Sequence, residues 1–313
     1  MSRQIEALHK TGISATMASV ICGVNPWDSP YSLYQRFKGE VPPKEETFQM
    51  WLGKQMEPIV IRAFTKATGL KVKRPRRVVD PAFTFRSEEY GFPMIALLDG
   101  TTTDDDGDAV VEAKTASAFA SADWADEVPL WYWFQNQHQL ATTGWGRAYT
   151  CAIVGNQFLY HTIERDDEVI ALITDRERDF WLNHLVPGVP PAIDGHSATT
   201  AAIRDRWRRS EPGTVVIIED PEVERLCAVS LSQKESIDRL EGEREGTINA
   251  LKDLVGSHER AEVGPYRITF KEQKGRARLD TKALRAAHPK LAEEFTVTGE
   301  PTRPLTVSRK KDA

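Results

Sequence analysis

Apolar residues recur along this chain with two periods. Between Thr47 and Thr68, Leu52, Met56, Ile59, Val60, Ala63 and Phe64 stand three or four apart. That spacing predicts a long amphipathic helix closed by Gly69. Between Pro129 and Thr142 a second helix is predicted, W-Y-W-F-Q-N-Q-H-Q-L, unusually rich in glutamine. Two apolar runs between these helices, within Met94–Lys114, flank an acidic, Gly-containing turn, the pattern of a β-hairpin. The remaining text up to Leu185 predicts two short helices over 13–39, with Ser14 or Thr16 capping the first and Ser29-Pro30 opening the second. It also predicts a basic strand over 70–79, a short strand over 83–86, and strands over 147–154 and 158–163 joined by Gly155-Asn156-Gln157. A helix over 167–185 follows. Pro187-Gly-Val-Pro190-Pro191 then breaks the pattern and divides the chain into domains 1–188 and 189–313. The second domain reads as helices over 198–209, 221–255 and 281–295, with short strands over 214–218, 264–270 and 304–308.

The hairpin carries the chemistry. Residues i and i+2 of a strand share a face, so Glu112 and Lys114 point the same way. A turn centred near Asp105–Asp106 puts Asp99 opposite Glu112, where facing Cβ atoms lie about 4.5–5.5 Å apart. Two carboxylates and the carbonyl of Ala113 between the side chains would suit a divalent cation with hard oxygen ligands. Lys114 could hold or deprotonate a water, or stabilise developing negative charge. A solvated hairpin with an ordinary Glu–Lys pair fits the same short pattern. Glu57, on the border of the first helix stripe with Gly53 one turn earlier, offers a half-buried carboxylate or a solvated one. Gln135 and Gln139 share a face of the second helix and could orient a carboxylate, a lysine or a water. His138 beside them reads as a ligand or as a hydrogen-bonded packing residue.

Composition narrows the classes. The chain has 313 residues, 40% hydrophobic and 28% charged, as in an ordinary soluble protein. No apolar run reaches the roughly 18 residues of a membrane span, and Met1–Lys10 has no apolar signal core, so a cytoplasmic protein is expected. Three scattered cysteines make neither a disulfide framework nor a zinc pattern. A net charge of −5 argues against a generic nucleic-acid binder, but basic residues cluster over 71–77, 204–209 and 271–278, and local patches can hold phosphates.

The ordered set L-G-K-Q-M-E-P at 52–58, L-D-G at 98–100, V-E-A-K-T at 111–115 and Y-W-F-Q-N-Q-H-Q-L at 132–140 resembles the λ-exonuclease/YqaJ group of phage nucleases, within the PD-(D/E)xK superfamily. The opening G-I-S-A-T…G-V-N-P-W-D-S-P-Y-S-L-Y at 12–34 is similar too, and the likeness is good over residues 10 to about 185. It implies an α/β restriction-endonuclease-like core, a mixed central sheet flanked by helices, with a mainly helical C-terminal extension. It implies a Mg²⁺-dependent phosphodiesterase, with Mn²⁺ able to substitute. Asp99, Glu112 and the Ala113 carbonyl would bind metal, Glu57 a metal or its water. Lys114 would position and activate the attacking water, and Gln135 would support the lysine or the phosphate. Lys10, Ser14 and Thr16 are candidates for holding a 5′-phosphate, and Tyr132 for supporting the glutamine helix and touching DNA. The implied activity is 5′→3′ degradation of linear double-stranded DNA in a bacterial host, with a single-strand annealing protein as partner and a homo-oligomer, a trimer in relatives. A structure-specific endonuclease and a non-catalytic recombination scaffold are the alternatives. The acidic tip at 104–108 is expected to point away from the duplex.

Overall fold

The structure is a computed structural model, and it describes residues 3–43, 45–77 and 79–310. It divides into two compact units, Met1–Trp207 and Arg208–Ala313. The first unit extends past the proline-rich break at 187–191. The reason is α7 (Ser197–Arg206). Its Ala202 packs with Tyr31 and Val41, and Thr199 shares a 2.7 Å hydroxyl–hydroxyl hydrogen bond with Ser29.

The first unit is mixed α/β, with two small sheets. Its elements are α1 (Arg3–His9), β1 (Ile13–Ser14), α2 (Ala15–Ile21), α3 (Pro30–Lys38), α4 (Phe48–Thr68), β2 (Thr84–Ser87), β3 (Met94–Leu97), β4 (Gly100–Asp104), β5 (Gly107–Ala116), α5 (Leu130–Thr143), β6 (Arg147–Val154), β7 (Gln157–Glu164) and α6 (Asp167–Asp179), ahead of α7. One sheet runs β1-β3-β2 and the other β4-β5-β6-β7. Pairs β1–β3 and β5–β6 are parallel and the rest antiparallel.

The predicted hairpin is reorganised. Its turn does fall at Asp105–Asp106, since Asp104 pairs with Gly107. Its first arm, however, is Gly100–Asp104. The apolar run Met94–Leu97 belongs to the other sheet, where β1 and β2 cover its two edges. The chain crosses between sheets at Leu98–Asp99. This step explains Gly100. A Cβ there would lie 2.7 Å from Val72 Cγ1 and 3.1 Å from the Lys73 carbonyl. The basic strand expected over 70–79 reduces to a bridge between Lys73 and Thr101, and Val78 lies outside the described residues.

Helix α4 is capped by Thr47 and closed by Gly69 at φ 78°, the left-handed conformation that favours glycine. Its buried face is Val60, Ile61 and Phe64, whereas Leu52 and Ile59 are exposed. The expected stripe therefore holds only in its C-terminal half, where it packs on Val111 and Cys151. Ser29 and Ser32 form a capping box at α3. Ser14 occupies the cap position of α2 without making a side-chain cap bond.

The second unit holds α8 (Pro221–Val255), a hairpin of β8 (Arg260–Val263) and β9 (Tyr266–Thr269), α9 (Thr281–Ala287) and α10 (Pro289–Glu294). The expected helix over 281–295 is split at Pro289, which cannot continue α9 because it lacks an N–H and its ring clashes with the preceding turn. The strands expected at 214–218 and 304–308 do not form. Among the described residues, no helix is long and apolar enough to cross a membrane.

Gly100→Ala is expected to destabilise the chain by about 1–3 kcal/mol through overpacking. A lowered urea midpoint at constant slope would show it, and an unchanged midpoint would mean that the 72–73 segment yields freely.

Candidate active site

Strand β5 alternates its side chains, and Glu112 and Lys114 fall on the face turned to α5. Glu112 is 3% exposed. A carboxylate buried that deeply needs hydrogen-bond donors around it. It has three: Lys114 Nζ at 2.6 Å and Gln135 Nε2 at 2.6 Å on Oε1, and Gln139 Nε2 at 2.7 Å on Oε2. Lys114 Nζ also donates to Gln135 Oε1 at 3.1 Å. It lies 4.6 Å from the centre of the Tyr132 ring, in range of a cation–π attraction. Gln135 and Gln139 are one helical turn apart on α5, so both amides reach the same carboxylate.

Asp99 sits at the crossing between the sheets. The β4–β5 register carries it opposite Glu112. Its Oδ2 accepts a 3.0 Å hydrogen bond from the Ala113 backbone N–H, which lies just beyond the last paired residue of β4. Glu57, on α4, is half-buried, and the Arg74 guanidinium stands 3.6 Å from it. Glu57, Asp99, Glu112, Ala113, Lys114, Tyr132, Gln135, Ser14 and Thr16 line one cleft of about 860 Å³. Lys10 instead lines an adjoining apolar cavity of about 370 Å³, which Thr16 also borders. Ser14 is buried, with its hydroxyl 3.3 Å from that of Thr16.

The electrostatics follow from this crowding. Burial first, and then the charge of Glu112, push the Asp99 carboxyl well above its usual range. Burial likewise raises Glu57, with Arg74 opposing and Glu112 adding to the rise. Burial works against the Lys114 ammonium, but Glu112 and Asp99 outweigh it and leave the lysine more firmly protonated than usual.

The donor set fits a hard divalent cation. Oxygen atoms dominate it, and crowded carboxylates are the environment such a cation relieves. Among the described residues, no three His, Cys, Asp or Glu side chains form a ready-made cage. A cation here would rest on Asp99 and Glu112, with the Ala113 carbonyl and water completing its shell. Glu57 would reach it through water.

Sequence reasoning placed Gln139 on the right face with a carboxylate, a lysine or a water to orient, and the structure gives it the Glu112 carboxylate. It missed Arg74 beside Glu57, and it missed Glu177, which no local spacing could reveal. Glu177 is fully buried against His138, whose Nδ1 lies 2.7 Å from Oε1. The Nε2 of His138 donates to the carbonyl of Ile95 at 3.2 Å. His138 is thus a buried strut between α5, α6 and β3. The acidic tip lies at the far end of β5 from Lys114. Arg147 offsets part of its charge, 3.3 Å from Asp104 and 2.6 Å from Asp106.

A model of the YqaJ-like viral recombinase domain matches residues 5–146. The YqaJ protein of Bacillus subtilis (strain 168) is 31% identical over 290 residues, which span 91% of this chain and 88% of that one. Among solved structures, the alkaline exonuclease LHK-Exo of Laribacter hongkongensis is similar with a TM-score of 0.46 at 19% identity, covering 60% of this chain and 94% of its own. A phage related exonuclease from Haemophilus somnus 129PT is similar with a TM-score of 0.41 at 12% identity, covering 56% and 94%.

Asp99 ionises less readily in the folded chain than in the unfolded one. Raising the pH through the carboxylate range therefore costs folding stability that a neutral side chain would not lose. In EDTA, Asp99→Asn is expected to raise Tm at pH 8 by roughly 2–5 °C. The gain should vanish below about pH 4, where both states hold the proton. Equal Tm values at pH 8 would contradict the crowding.

Proposed function

The chain belongs to the YqaJ-like viral recombinase family, and from that premise we propose that it is a metal-dependent deoxyribonuclease that degrades linear double-stranded DNA from its ends. The observation that carries this reading is the convergence of Asp99, Glu112 and Lys114 in one cleft, with Lys114 Nζ 2.6 Å from Glu112. A bound Mg²⁺, with Mn²⁺ as a substitute, would polarise the scissile phosphate and neutralise charge on the leaving oxygen.

The chain's own groups divide the remaining work. Asp99 and Glu112 would present oxygens to the cation, and Glu57 would bind it or one of its waters. Lys114, held beside Glu112 and Gln135, serves as a donor to the attacking water and to the charge developing on the non-bridging phosphoryl oxygens. Gln135 and Gln139 fix the Glu112 carboxylate, and Gln135 with Tyr132 fixes the lysine. Arg76 and Arg77, from the basic cluster, line the same cleft. They supply the sequence-independent attraction for a phosphate backbone that an acidic protein otherwise lacks. Degradation in the 5′→3′ direction, with the product strand passed to a single-strand annealing protein, is the form of this activity that suits recombination.

End-labelled linear duplex and closed circular DNA, each with Mg²⁺ or EDTA, test the proposal. Linear DNA should be degraded only with Mg²⁺. Lys114→Ala and Asp99→Ala should each lower the rate by roughly 10³-fold, and Gln139→Ala by about 10–100-fold, since it acts through Glu112. Cutting of closed circles would favour the endonuclease. Wild-type rates in Lys114→Ala would remove the site assignment, and binding without degradation would leave a scaffold.

A further inference from the structure

Residues 260–310 carry twelve Lys and Arg against six Asp and Glu, in a chain whose net charge is −5. The helix before them does not share this excess. Alpha8 holds eight acids and five bases, and its Arg225, Arg239 and Lys252 are each ion-paired. Downstream the pattern reverses. Lys271, Lys274, Arg276, Arg278, Lys282 and Arg285 are exposed, and among the described residues none of the six has an ion-pair partner. Clustered like charges repel one another, and a polyanion laid against them relieves that repulsion.

The hairpin leading into this run sorts its side chains by face. Glu262 of β8 stands opposite Arg267 of β9, and Ala261 opposite Ile268. Strand alternation puts Arg267 and Thr269 in one row and Tyr266, Ile268 and Phe270 in the other. The Phe270 N–H donates to the Glu259 carbonyl at 2.9 Å, which carries the ladder one step past Thr269. Tyr266 is 73% exposed and Phe270 45%. Among the described residues β9 pairs only with β8, so its outer edge is open. A merely solvated basic surface has no use for an exposed aromatic row beside it.

We propose that the open edge of β9, with the basic run that follows it in the chain, binds single-stranded DNA. A single strand has phosphates along one side and unpaired bases along the other. Laid along this edge, it sets phosphates on the Arg267 row and bases on Tyr266 and Phe270, which stand about 13 Å apart along the strand. Aromatic platforms and a basic track together are how proteins hold single strands without sequence preference. A duplex would meet the charges alone, because its bases are already paired and stacked. The Arg267–Glu262 pair, at 3.2 Å and mostly exposed, is weak enough to yield to a phosphate. The ligand is the strand that degradation leaves unpaired, and for that origin alone the inference rests on the nuclease reading.

Fluorescence anisotropy of a labelled oligothymidylate, titrated with the full chain in EDTA, tests this in the absence of hydrolysis. The wild type should bind it. Lys271→Glu/Lys274→Glu/Arg276→Glu/Arg278→Glu should weaken binding at least about tenfold and reduce the log–log salt slope by roughly 3. Tyr266→Ala/Phe270→Ala should also weaken it about tenfold or more, at an unchanged salt slope, and should leave the affinity for a duplex of equal length as it was. No binding by the wild type, an unchanged affinity in the quadruple variant, or an equal loss of duplex binding in the aromatic variant would each overturn the proposal. A chain that binds the oligonucleotide in this way and degrades no DNA in Mg²⁺ would refute the nuclease and leave this site standing.

Discussion

The constraint on which the first unit depends is the burial of the Glu112 carboxylate. An ionised group cannot remain inside a protein unless its oxygens are satisfied and its charge is balanced. Lys114 balances it from two residues along the same strand, while Gln135 and Gln139 satisfy it from α5. This requirement accounts for Gln135 and Gln139, two of the five consecutive buried polar residues of α5. Gln135, Asn136, Gln137, His138 and Gln139 are all buried. The three that do not touch Glu112 bind elsewhere: Asn136 to Thr150, Gln137 to the β7–α6 junction, and His138 to Glu177 and Ile95. Alpha5 is a polar connector through the middle of an apolar unit, and its position is set by hydrogen bonds as much as by packing.

A second consequence concerns Asp99. If Met94–Lys114 were one continuous hairpin, its first strand would run past Asp99 with every backbone group paired. Because the chain changes sheets at Leu98–Asp99, the Ala113 N–H is left without a strand partner, and the Asp99 carboxylate takes it. The break therefore aims a carboxylate across the end of β4 toward Glu112. His138 reinforces the break by tying α5 to β3 at Ile95 while Gln139, the next residue, ties α5 to β5.

These relations sort what the sequence could reveal. Contacts set by short-range periodicity were legible. The i, i+2 pairing of Glu112 with Lys114, the turn at Asp105–Asp106 and the facing of Asp99 and Glu112 follow from strand geometry alone. The split at Pro289 was also written in the chain and was overridden by apolar spacing. Pairings that depend on distant segments were not legible. The assignment of Met94–Leu97 to another sheet is decided by β1, and the partner of His138 comes from α6. Val215–Ile218 illustrates the converse. Four β-branched residues carry a strong strand preference, yet without a neighbouring edge they remain exposed and unpaired.

The same logic links the cleft to its chemistry. For folding alone, Asp99 and Glu57 are poor choices, since burial and mutual repulsion raise both carboxyls while Lys114 offsets only part of that charge. Neutral side chains of the same shape would fold better. Lys114 cannot be brought closer to both, because it is already fixed between Glu112, Gln135 and the Tyr132 ring. The carboxyls that carry this unfavourable load are therefore Asp99, enclosed in the cleft, and Glu57, half-buried at its border. The buried end is neutralised by a fixed ammonium. A site built this way is short of positive charge around Asp99 and Glu57, and a cation bound beside them would relieve the crowding that folding alone leaves in place.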